Sequence, residues 1–166
     1  MATKTAPRTF ETHIELALNV RAKEIDILNQ QLADTFDLYS QVKQAHWNVK
    51  GKDFMQLHLL FDTLAEGVLG FVDEIAERVT ALGGTAMGTA RMAASSSSLP
   101  EYPDDVVQGM DHVACLVDRY GRYVASTRET INKTDELGDP TTADLFTEIS
   151  REVDKQLYFL ESHIQA

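Results

Sequence analysis

Apolar residues recur along this chain with the period of a helix. Ile25, Leu28, Leu32, Phe36, Tyr39 and Val42 follow one another at helical spacing, with His46 next on the same line, so a first helix is predicted over about 12–47. Gly51 breaks it and Asp53 is placed to cap a second, whose core stripe runs Leu57, Phe61, Leu64, Val68, Phe71, Ile75, Val79 and Leu82. Gly83-Gly84 ends that stripe. Residues 83–103, rich in Gly, Ala, Ser and Thr and closed by Pro100 and Pro103, form a long connection that either crosses a bundle or carries a short helix of its own. A third helix is predicted from Asp104 or Asp105, with Val106, Met110, Val113, Val117, Tyr120, Val124 and Ile131 on one face. After the turn 135–140, a fourth runs from about Thr141 with Leu145, Ile149, Val153, Leu157, Leu160 and Ile164. No stretch alternates as a strand would. The pattern predicts an all-α four-helix bundle over 12–166, with a long crossover between helices two and three and a flexible polar tail over 1–11.

The second helix carries another stripe. His58 and Asp62 are one turn apart, as are Asp73 and Glu77, and these residues share a face with Met55, Leu59, Ala65, Leu69 and Ala76. That face is rotated roughly 140° from the core stripe, so the candidate metal ligands look away from their own bundle. The two pairs are roughly 22 Å apart along one straight helix and cannot reach a common ion within it. Both pairs, however, share a midpoint between Gly67 and Val68. Two copies of the helix packed antiparallel about that point would bring His58 and Asp62 of one chain to Asp73 and Glu77 of the other, twice over.

Composition narrows the function classes. The 166 residues fit one domain, and a net charge of −11 argues against a surface that coats DNA while suiting the attraction of cations. A single cysteine, Cys115, offers neither a disulfide framework nor a Cys-rich zinc pattern. An apolar signal region and a membrane-length apolar run are both lacking, so the cytoplasm is the expected compartment. The tail carries Lys4 and Arg8, the candidate DNA contacts; two side chains neutralise few phosphates. The acidic group Asp135, Glu136, Asp139 and Asp144 is either a solvated turn or, in a symmetric shell, the lining of a channel through which cations enter. His163 stands alone and is read as structural or surface.

Imidazole and carboxylate together suit iron, zinc, manganese or copper. Three carboxylates offset the charge of Fe²⁺ and stabilise Fe³⁺ still more, which favours iron and its oxidation. A Glu-x-x-His motif is missing, so a di-iron site inside one bundle is not available.

Taken together, the segment His46-Trp47-Asn48-Val49-Lys50-Gly51, His58, Asp62, the run Asp73-Glu74-Ile75-Ala76-Glu77-Arg78, Gly83-Gly84 and the Ser/Pro-rich crossover resemble the Dps family, DNA-binding proteins from starved cells. The resemblance covers nearly the whole chain. It implies a ferritin-like bundle, a dodecameric shell, and a ferroxidase centre at each two-fold interface with metal ligands His46, His58 and Asp62 from one subunit and Asp73 and Glu77 from the other. It further implies Fe²⁺ oxidation, preferably with hydrogen peroxide over dioxygen, storage of ferric iron inside the shell, protection of DNA from oxidative damage, Trp47 as a radical quencher beside the site, and an acidic iron channel around Asp139 and Asp144. Two other readings compete: a protein that condenses DNA in the bacterial nucleoid with a mainly structural metal site, and a bundle locked by zinc.

Overall fold

A computed structural model of the chain describes residues 8–165. It contains α1 (Leu18–Asn48), α2 (Phe54–Ala81), a short α3 (Ala90–Ser96), α4 (Gly109–Glu136) and α5 (Pro140–Glu161), with no strand among the described residues. α1 packs chiefly on α2 and α4 on α5, and the two pairs close face to face. The α2 stripe read from the sequence is the core: Leu57, Phe61, Leu64, Val68, Phe71, Ile75, Val79 and Leu82 are all buried. They meet Leu28, Leu32 and Leu38 of α1, Tyr120 and Tyr123 of α4 and Phe146 and Ile149 of α5. Burial of each large side chain is worth roughly 1.5–3 kcal/mol, so this core supplies most of the drive to fold.

Two helix starts differ from expectation. α1 begins at Leu18 rather than near residue 12, because the preceding segment is committed elsewhere: the Phe10 N–H donates to the Gly83 carbonyl (2.7 Å), the Thr85 hydroxyl donates to the Arg8 carbonyl (2.8 Å), and the Thr12 hydroxyl accepts from the Ile14 N–H (3.3 Å). Gly83 has φ +85°, and a side chain there would strike the Phe10 carbonyl, so only glycine lets this segment dock. α4 begins at Gly109 rather than at Asp104 or Asp105 because residues 107–109 pair with the α1–α2 turn: Lys50 N–H donates to Val107 O (3.0 Å) and Gly109 N–H to Lys50 O (3.1 Å). α5 starts within a residue of its expected place, with Pro140 in its first turn and Asp139 as its cap, accepting from the Thr142 N–H.

The crossover does carry its own helix, α3, capped by Thr89. Its serines are fasteners to α1: Ser97 Oγ donates to Asp37 (2.6 Å), and Ser98 gives its N–H (2.6 Å) and hydroxyl (3.1 Å) to Asp34. Among the described residues, no helix is long and apolar enough to cross a membrane.

Candidate metal centre

The last turns of α1 and the second turn of α2 face each other across the bend at Gly51, whose φ of +113° turns the chain back on itself. This brings His46 and His58 into a stack, ring centroids 3.8 Å apart and planes within 20°. Their hydrogen bonds are reciprocal: His46 Nδ1 lies 2.8 Å from the His58 carbonyl and His58 Nδ1 lies 2.9 Å from the His46 carbonyl. A carbonyl only accepts, so each Nδ1 carries the proton, and in the neutral rings each Nε2 keeps a free lone pair. Both imidazoles are thereby held in the tautomer a metal ion requires. Asp62 completes the group, its Oδ1 3.7 Å from His46 Nε2. Phe54 stacks near the His58 ring (5.1 Å between centroids).

Lys43 is a member of this group that the sequence reading passed over. Its Nζ sits 2.6 Å from Asp62 Oδ1 and 5.7 Å from the Trp47 ring centre, while Trp47 itself is largely exposed. The signal was present, since Lys43, His46 and Trp47 lie three and four residues apart on one helix face. The hydrogen bond from Lys43, aided by the nearby His46, outweighs desolvation and holds the Asp62 carboxyl below its usual range.

Asp73 and Glu77 are exposed farther along α2, roughly 16 and 22 Å from Asp62 by helix rise. One chain therefore does not unite the five residues, and among the described residues no three potential ligands, His46, His58 and Asp62 included, stand close enough together to hold a metal ion. Along the same outward side, Met55, Leu59 and Leu69 stay exposed at 58%, 57% and 43%. A face with His and carboxylate side chains toward each end and bare apolar side chains along it is a candidate contact surface.

The acidic turn divides. Asp135, Glu136 and Asp144 are exposed, as a channel lining needs. Asp139 is not: it is 2% exposed, gripped through both oxygens by Arg78 (2.8 Å each), with the Arg78 Nε donating to the Thr142 hydroxyl (2.9 Å). Burial raises its carboxyl, but hydrogen bonds from Thr142 and Arg78 outweigh that and keep it ionised below the usual range. Its charge is spent inside the bundle, which corrects its expected place in a channel. His163 is exposed, its Nδ1 bonded to the Phe159 carbonyl, apart from the centre. Arg8 is exposed, and Lys4 lies outside the described residues.

Known proteins resemble this chain in sequence and in fold. The ferritin-like domain family matches residues 25–166. The "DNA protection during starvation protein" of Agrobacterium fabrum is 45% identical over 158 residues, covering 95% of this chain and 98% of its own. Among solved structures, DpsC from Streptomyces coelicolor superposes with a TM-score of 0.92 at 31% identity, covering 99% of this chain and 97% of that one. A Dps protein from Vibrio cholerae, described as a member of a broad superfamily of ferritin-like diiron-carboxylate proteins, gives 0.86 at 25% identity over 94% and 98%. By sequence over nearly its whole length and by fold, the chain belongs to the Dps family of ferritin-like proteins.

Proposed function

We propose that this protein is an iron-sequestering mini-ferritin whose substrate, Fe²⁺, is oxidised at centres shared between two copies. The observation that carries the reading is the reciprocal locking of His46 and His58, which leaves two Nε2 lone pairs beside Asp62 at the edge of an exposed apolar face. A second copy packed antiparallel on that face supplies Asp73 and Glu77 to the open side, and the symmetry yields two centres per dimer. Three carboxylates favour the ferric product, and hydrogen peroxide, in preference to dioxygen, is the oxidant. Twelve copies close a hollow shell that stores ferric iron and spares DNA from oxidative damage in the cytoplasm. Asp135, Glu136 and Asp144 line the way in for the cation, while Asp139 braces their turn. Trp47 stands beside the centre as a radical quencher, and zinc competes for the same ligands. The nucleoid-condensing reading rests on Lys4 and Arg8 alone and gains no further support from the described residues.

The test is anaerobic Fe²⁺ loading of metal-free protein followed by a peroxide pulse, recording ferric absorbance. About two Fe²⁺ are expected per peroxide, without free hydroxyl radical. The double variant H46G/H58G is expected to slow this oxidation by roughly a hundredfold or more while assembly, checked by sedimentation, is retained. An unchanged rate in an intact shell rejects the ligand assignment.

A further inference from the structure

We propose that Tyr102 and His112 form a redox dyad: Tyr102 gives one electron to oxidised Trp47 while its phenolic proton passes to His112 Nδ1. The inference rests on the peroxide chemistry proposed above for its oxidant in the cell, but its test does not.

The Tyr102 hydroxyl lies 2.6 Å from His112 Nδ1, short enough for a proton to cross without rearrangement. Among the described residues Tyr102 is the one tyrosine bonded to an imidazole; buried Tyr120 and Tyr123 are bonded to Gln156 and Thr35, neither of which accepts a proton. His112 is 1% exposed, and its Nε2, also buried, has no close hydrogen-bond partner. The Asn48 main chain nearby favours the charged ring, which eases formation of an imidazolium. Burial lowers His112, which therefore rests neutral and able to accept, and burial pushes the Tyr102 phenol up, so no phenolate forms beforehand. Electron and proton must leave together. Arg119, fixed by Glu101 O (2.7 Å) and Gln41 (3.3 Å), lies over the Tyr102 ring at 5.7 Å. Trp47 and Tyr102 line one cleft beside Gln41, Gln44 and Leu99, and on its other side Trp47 meets Lys43, whose ammonium rests on Asp62.

The balance is closed. Reducing peroxide to water takes two electrons and two protons; when a centre holds a single Fe²⁺, that ion supplies one electron and Tyr102, through Trp47, the other. The phenolic proton waits on His112, and solvent supplies the protons for water. A later Fe²⁺ returns the electron to the tyrosyl radical, and His112 returns the proton.

Trp47 is the sole tryptophan, which makes the step visible without iron. Azide radicals from pulse radiolysis oxidise tryptophan in the assembled, metal-free protein, and the tryptophanyl absorbance is expected to decay as tyrosyl absorbance grows. In Tyr102→Phe the coupled growth should vanish and the decay slow by about tenfold or more; His112→Gln should slow transfer similarly and remove its solvent deuterium isotope effect. Coupled growth that persists in Tyr102→Phe, or is missing from the unaltered protein, overturns the dyad. Failure of Fe²⁺ oxidation with radical transfer intact would reject the ferroxidase reading and leave the dyad standing.

Discussion

Two charged clusters flank α2, and they have opposite fates. Near its C-terminal end, Arg78 meets Asp139 and Thr142 in a group whose donors and acceptors satisfy one another inside one chain. Toward its N-terminus, His46 and His58 use their inner atoms to fix one another and leave Nε2 lone pairs outward beside the half-exposed Asp62 carboxylate, which Lys43 holds. The closed cluster is architecture, holding the α4–α5 turn against α2. The open one has valence left over, and chemistry is to be sought where polar groups are ordered but unfinished.

The largest effect that separates the two is expected from Asp139→Ala. It strands the half-buried Arg78 guanidinium and removes the α5 cap, which should cost roughly 2–4 kcal/mol of stability. Denaturant unfolding should show that loss, while Fe²⁺ oxidation per folded subunit is kept. The H46G/H58G variant should weight the two effects the other way, losing oxidation while unfolding shifts by only about 1 kcal/mol for each glycine placed in a helix. If Asp139→Ala instead abolishes oxidation in protein that is still folded, the division between the clusters fails.

A subtler effect belongs to Glu24, a fully buried carboxyl whose two oxygens have no hydrogen-bond partner, close to the closed cluster. Burial, then the charge of Asp139, raise its pKa to about 7, with Arg78 opposing. The folded protein thus holds a proton that the unfolded chain releases at lower pH. The stability linked to that proton is full below the ordinary Glu pKa, falls as pH rises, and is gone above about 7. Glu24→Gln should flatten this part of the profile and gain on the order of a few kcal/mol over the unaltered protein at pH 8. Comparing the two proteins across pH cancels the groups they share; a constant difference from pH 4 to 8 would mean that Glu24 is not held protonated.

How much of this was legible follows from what periodicity encodes. The α2 core stripe and its outward stripe were readable because each repeats over many turns, and the structure buries Leu57 through Leu82 and exposes Met55, Leu59 and Leu69 accordingly. The α4 face was less readable, because Thr127, Thr130 and Thr134 are buried there among hydrophobic residues, and Thr127 and Thr134 return their hydroxyls to the helix carbonyls. Asp139 was read as one acidic residue among four, since nothing local reveals that Arg78, 61 positions earlier, neutralises it. The fastening role of the serine run was hidden for the same reason: its partners, Asp34 and Asp37, belong to α1. Long-range pairing of polar groups leaves no period in a sequence. The His46–His58 lock was half legible, as residue types at plausible spacing, but its tautomers required the crossed carbonyl bonds.

The smallest effect probes the open cluster from within. Lys43 occupies the Asp62 carboxylate at 2.6 Å, so an arriving cation must displace an ammonium already in place. It also holds the Asp62 carboxyl low, chiefly by that hydrogen bond, so the ligand stays ionised as the solution turns acid. Lys43→Ala removes both influences, and they act in opposite directions. At neutral pH, where Asp62 is ionised either way, Zn²⁺ as a redox-silent probe should bind roughly three- to tenfold more tightly, because the competing charge is gone. On acidification Asp62 in the variant takes up its proton at a higher pH, so binding should fail earlier than in the unaltered protein. The two affinity curves, followed by calorimetry, should therefore cross. Curves that run parallel would mean that Lys43 swings clear of Asp62 once the subunits assemble, and that the open cluster is freer than the single chain makes it.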